Sequence, residues 1–138
     1  MEFVPYIQAH DLKELGFEKP CFAEYRQWDG SNPWLQLYQD LSESSTDPAD
    51  FQYTTECLAP TFSQAFSFFR EKHGMSFHIS DYYNQESRKL YGRAFQIFIN
   101  DRQQIFQYSS SSGVELYYTY PEAELACLKK LIEIVKNK

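Results

Sequence analysis

The chain has 138 residues, 43% hydrophobic and 18% aromatic, with 13 basic and 19 acidic side chains for a net charge of −6. That length supports a core without disulfide or metal staples, and 12 Phe with 11 Tyr mark a folding chain rather than a disordered one. The acidic balance argues against wrapping nucleic acid, which needs clustered Lys and Arg, and no apolar run is long enough to span a bilayer.

The opening residues, MEFVPYIQAHD, carry no basic region followed by an apolar stretch, so a cytoplasmic setting is expected. Cys21, Cys57 and Cys127 are odd in number and far apart, which reads as reduced thiols. No C-x-x-C occurs, and His10, His73 and His78 make no zinc-binding spacing. Neither a metal nor another cofactor is expected.

In chain order, residues 5–15 read as a helix. Pro5 suits its first turn, Ala9, Leu12 and Leu15 make its apolar side, and Gly16 followed by Phe17 suits a Schellman end. Residues 21–28 and 34–39 read as two strands of a hairpin, joined by the turn sequence DGSNP. In the second strand Trp34, Gln36 and Tyr38 alternate against Leu35 and Leu37. Residues 40–50 are polar and acidic, a surface loop by composition, and 51–58 form a short strand.

The clearest helix spans residues 59–75. Thr61 and Gln64 make a capping box, and Gly74 suits a left-handed end. Phe62, Ala65, Phe66, Phe69 and His73 share its inner face. Phe68 falls off that stripe. It is either a flank of the core or an exposed aromatic anchor for a partner.

Beyond Gly74, residues 75–80 alternate with the period of a half-buried strand, and 91–99 are the best strand pattern in the chain. Residues 104–108 can pair back, and 114–119 make a final strand. The last helix starts at Thr119, capped with Glu122, and runs to about residue 135, burying Leu125, Leu128, Leu131, Ile132 and Val135. The expected architecture is a single α+β domain over residues 1–138. An antiparallel sheet of about five to seven strands carries the two main helices on one face, with a short N-terminal helix beside the first hairpin.

No catalytic motif is present: there is no G-x-S-x-G elbow and no Gly-rich phosphate loop. Cys57, His78 and Asp81 supply thiol-triad residue types, but nothing in the sequence brings them together. The favoured class is a small interaction module with another protein as partner. Phe68, Arg88, Lys89, Tyr91, Arg93 and Tyr117 are the candidate contacts, and a tyrosine-rich sheet face could form a homodimer. Second comes a nucleic-acid-linked protein, binding through Arg88–Arg93 or acting as an acidic mimic. An enzyme comes third.

Three blocks in this order, LKELGFEKPCFAEY, APTFSQAFSFFREKHG and YPEAELACLKKLIEIVKNK, resemble a widespread group of small proteins from anaerobic gut bacteria and their phages and prophages. The resemblance covers residues 12–25, 59–74 and 120–138, with Pro121 where an acidic residue would be expected. It implies a phage or mobile-element origin and an intracellular setting, and carries no activity.

Overall fold

Pro5 ends an extended segment and starts α1 (Tyr6–Glu14). The helix closes as the sequence predicts. Gly16 takes φ 94°, its N–H donates to the Lys13 carbonyl (3.0 Å), and the Phe17 N–H donates to the Leu12 carbonyl (2.9 Å). Phe17 thereby folds back and is buried together with Ala9 and Leu12.

The computed structural model describes residues 2–28, 31–38, 53–83, 85–100, 102–104, 109–110, 113–114 and 119–137. These residues form an α+β fold, with three helices and the described strands in two main sheets. It divides into two compact units, Met1–Ala65 and Phe66–Lys138.

In the first unit the hairpin forms as β1 (Ala23–Trp28) and β2 (Trp34–Leu37), paired antiparallel with Ala23 opposite Leu37 and Arg26 opposite Trp34. Next to the turn, the Gln27 side-chain amide donates to the Ser31 carbonyl (2.6 Å), and the Ser31 hydroxyl donates to the Trp28 carbonyl (3.0 Å). β3 (Tyr53–Leu58) pairs with the other side of β1, so the strand order is β2-β1-β3, with a bulge where Tyr25 opposes Cys57 and Arg26 opposes Thr55. α1 packs over β3. The segment before α1 runs antiparallel to the chain around Thr61, where the Val4 N–H donates to the Pro60 carbonyl (2.8 Å) and the buried Tyr25 hydroxyl donates to the Val4 carbonyl (2.7 Å).

α2 (Phe62–His73) starts in this unit with the capping box. The Gln64 N–H donates to the Thr61 hydroxyl (3.2 Å), and the Thr61 N–H donates to the Gln64 side-chain oxygen (3.0 Å).

In the second unit, α2 ends at Gly74 (φ 63°) and leads straight into β4 (Met75–Tyr83), which pairs with β5 (Leu90–Ile99), which pairs with β6 (Arg102–Gln104). The alternation reads as expected: Met75, Phe77 and Ile79 share a face with Ile99, Ile97 and Phe95. Phe66 of α2 stacks on Phe77, ring centroids 3.9 Å apart. α3 (Tyr120–Lys136) packs on β4 and β5 and is capped by Thr119, whose hydroxyl accepts the Glu122 N–H (3.2 Å). A two-residue ribbon, β7 (Ser109–Ser110) with β8 (Gly113–Val114), completes the described strands.

Two expectations need correction. The described strands do not form one sheet of five to seven. β3 finds its partner in β1, while β4, β5 and β6 form a meander of their own, because each set satisfies its backbone by antiparallel pairing with nearby chain. Of the two readings of Phe68, the flank of the core holds and the exposed anchor does not. Phe68 is 3% exposed, edge-on to Phe69 (5.4 Å, 72°) and to His73 (5.4 Å, 76°), with the Lys72 ammonium 5.7 Å from its ring centre. The buried arc of α2 is therefore wider than the five-residue stripe the periodicity defines.

Candidate interaction surface

The hairpin sorts its side chains by alternation. Ala23, Tyr25, Leu35 and Leu37 point to the α1 side of the sheet. Glu24, Arg26, Trp28, Trp34 and Gln36 point to the other, as do Phe22 and Tyr38, which flank the strands and are joined by the Tyr38 N–H to Phe22 carbonyl bond (2.9 Å). This second face is aromatic and open. Phe22 is 59% exposed, Trp28 and Tyr38 are exposed, and the Trp28 and Trp34 rings stack with centroids 5.5 Å apart at 22°.

Its centre is polar and ordered. Glu24 is 7% exposed because its neighbours close over the carboxylate. Oε1 accepts from Arg26 Nε (2.5 Å), and Oε2 accepts from the Tyr38 hydroxyl (2.8 Å). Burial, the hydrogen bond to Glu24 and the charge of Glu24 push the Tyr38 hydroxyl up to about 12, so it stays a donor at neutral pH. The result is a set of large rings held around a fixed carboxylate–guanidinium pair, a surface with little rotamer freedom left to lose on binding.

Leu35 and Leu37 are exposed for a different reason. β2 is an edge of its sheet, and α1 covers β3 at the other edge, so the outer strand keeps its apolar side chains in water.

The sequence of the unit that carries this surface has a one-sided charge. Residues 1–65 hold eleven carboxylates against three basic side chains, Lys13, Lys19 and Arg26. Between Arg26 and Arg70 there is neither Lys nor Arg, only Asp29, Asp40, Glu43, Asp47, Asp50 and Glu56. Arg26 is engaged by Glu24, and the Lys13 ammonium donates to the Glu56 carbonyl (2.8 Å).

A cavity of about 460 Å³ lies between α1 and the bulge of β3, lined by Lys13, Phe17, Glu18, Thr55 and Cys57 among others. Burial pushes the Cys57 thiol up to about 11, which leaves it protonated at neutral pH and a poor nucleophile. His78 and Asp81 point to opposite faces of β4, opposite Gln96 and Arg93, so they do not assemble a triad. Among the described residues no group of three His, Cys, Asp or Glu could hold a metal ion, and no helix is long and apolar enough to cross a membrane.

Of the basic cluster read from the sequence, Arg93 on β5 is paired with Asp81 on β4 (2.9 Å). Arg88 sits at φ 58° between β4 and β5, and both it and Lys89 are exposed. Tyr91 lies on β5 with its side chain outside the described part, and Tyr117 lies outside the described residues altogether. Sequence reading missed Phe22, Trp28, Trp34 and Tyr38 as a group. The hairpin register that unites them was legible, but in β2 each alternating set holds large apolar or aromatic side chains, Trp34 beside Gln36 in one and Leu35 with Leu37 in the other, so the pattern does not say which one faces water. Comparison with protein-family models, with curated proteins and with solved structures finds no match to this chain.

Proposed function

We propose that the protein is an interaction module that docks a basic partner protein on the open aromatic face of the β1–β2 hairpin. One observation carries this reading: large aromatic side chains, Phe22, Trp28 and Tyr38, stand exposed on one face of one hairpin beside the stacked Trp34. Large rings offer contact area at low entropic cost and are enriched where interfaces draw their energy. The acidic balance of residues 1–65 selects the sign of the partner and speeds encounter with it. Three free thiols, two of them buried, favour a reducing, intracellular setting, in keeping with the phage-type resemblance of the sequence. In this reading the two units form one folding domain, since α2 belongs to both.

The test is affinity capture from the producing bacterium with the wild type and with a Phe22→Ala/Trp34→Ala variant of unchanged circular dichroism. The expected result is one basic protein held at low salt by the wild type, weakened at high salt and lost by the variant. Capture that ignores the substitutions refutes the reading. Recovery of nucleic acid would transfer the function to Arg88 and Lys89.

A further inference from the structure

The outer edge of β2 has a property the aromatic face does not explain. The Tyr38 N–H bonds to the Phe22 carbonyl, so Phe22 and Tyr38 are a hydrogen-bonded pair. Antiparallel pairing alternates, which makes Glu24 with Gln36 and Arg26 with Trp34 hydrogen-bonded pairs as well. The N–H and C=O groups of Leu35 and Leu37 must then point away from β1, along the edge. The Gln36 side-chain amide agrees, since it donates to the outward Leu37 carbonyl (3.1 Å). The same two residues expose their side chains, Leu37 at 52%.

Natural edges are guarded by Lys, by Pro, by inward charges or by a covering element. Within β2, Trp-Leu-Gln-Leu, there is no charge and no Pro, and Pro33 precedes it. No described strand lies outside it. Every charged side chain between Arg26 and Arg70 in the sequence is a carboxylate.

We propose that the β2 edge accepts an extended segment of a basic protein by strand addition, with Leu35 and Leu37 supplying the backbone hydrogen bonds. The proposal rests on the docking reading above and states its mode. An added strand turns alternate side chains to the two faces of the sheet. One set lies beside Leu35 and Leu37 and is apolar. The other continues the face of Trp34, Gln36 and Glu24 and carries Arg or Lys, whose charge the acidic balance of residues 1–65 favours. A second copy of this chain is disfavoured as occupant, because it would bring two acidic units together.

The probe is a synthetic eight-residue peptide alternating Arg with Val, titrated into the full-length protein. The readouts are amide hydrogen exchange and Trp fluorescence. Two companions accompany it: the same peptide N-methylated at alternate residues, and one with Glu in place of Arg. The expected result is binding that protects the Leu35 and Leu37 amides from exchange at least tenfold and falls at least tenfold on N-methylation. It should be absent for the Glu peptide and weaken as salt rises. Leu35→Pro should abolish it while keeping the hairpin, because the N–H removed is an outward one.

Arg-peptide binding that perturbs the Trp signal, ignores N-methylation and leaves the Leu35 and Leu37 amides unprotected would overturn strand addition and leave the docking face standing. Equal binding of the Glu peptide, or none by the Arg peptide, would overturn the basic partner and both readings with it. Protection of Leu35 and Leu37 that grows with protein concentration alone would overturn the choice of occupant in favour of a second copy.

Discussion

Replacing Phe66 by Ala removes a ring that is 4% exposed and stacked on Phe77 at a centroid distance of 3.9 Å. A buried Phe→Ala change costs about 3–5 kcal/mol, the transfer of the ring plus the cavity it leaves. Chemical denaturation followed by circular dichroism at 222 nm reads that loss directly as a shift in midpoint at constant slope. A loss below about 1 kcal/mol would mean that the inner face of α2 is rotated away from β4.

The thermal shift carries a second, separable result. An unfolding entropy of about 2.1 cal/mol/K per residue comes to about 0.29 kcal/mol/K for a cooperative unit of 138 residues, so each kcal/mol lost lowers Tm by about 3.5 °C. Phe66→Ala should then melt about 10–17 °C below the wild type. If the second unit unfolded alone, with roughly half the entropy, the same free-energy loss would give about twice the shift. Trp28 and Trp34, the only tryptophans, both belong to the first unit, while α3 lies in the second. Tryptophan fluorescence therefore follows the first unit alone, while helical circular dichroism, which includes α1, is weighted toward the second unit by α3 and most of α2. One domain predicts coincident melting curves for both probes in the wild type and in Phe66→Ala. A fluorescence curve unmoved by the substitution would refute the single-domain reading. A double-mutant cycle with Phe77→Ala should isolate a ring–ring coupling of about 0.5–1.5 kcal/mol.

Gly74→Ala should destabilise by at least about 1–2 kcal/mol, since Gly74 holds φ 63° and an added Cβ would collide with the Asn100 side chain; an unchanged denaturation midpoint would contradict that geometry. Folding raises the Tyr38 hydroxyl from 10.0 to about 12 and the Cys21 and Cys57 thiols from 9.0 to about 11, in each case favouring the neutral form. The stability this linkage supplies is complete below about pH 9 and is lost as pH rises toward 12, so Tm measured in reductant should fall through that window. Tyr38→Phe should fall less steeply above pH 10, and a parallel fall would show that the bond to Glu24 does not persist in solution. Iodoacetamide followed by mass spectrometry should label the half-buried Cys21 first and the fully buried Cys127 only on unfolding; equal rates would place Cys127 outside the core.

The sequence made the local devices legible because each depends on a few adjacent residues. Gly16 with Phe17, Thr61 with Gln64, and Thr119 with Glu122 all close their helices as the one-dimensional pattern implies. The hairpin and the long β4–β5 pair were legible for the same reason, since turn chemistry and period-two alternation act over short spans. What failed was non-local. Whether β3 ends one sheet or adjoins the next strand is decided by its pairing with β1 across the acidic stretch, and no short pattern encodes that.

The same limit applies to single aromatic side chains. A phenylalanine off a helical stripe looks available, yet Phe68 is enclosed by Phe69 and His73, because a helix buried over a wide arc has no spare aromatic flank. A tryptophan in an alternating strand looks like core. Yet Trp28 and Trp34 lie on the open side, because the apolar buried places of β1 go to Ala23 and Tyr25 on the opposite face, and α1 covers β3 rather than β2. Burial follows what covers a residue, and covering is tertiary. Charge needs no such information. The long absence of Lys and Arg between Arg26 and Arg70 is visible in the sequence and keeps its meaning in the fold: the exposed rings and the unguarded edge both fall on the acidic half of the chain. Aromatic area of that kind, left in water on the part of the chain with a net negative charge, fits a positively charged partner better than a nucleic acid or a second copy of the chain.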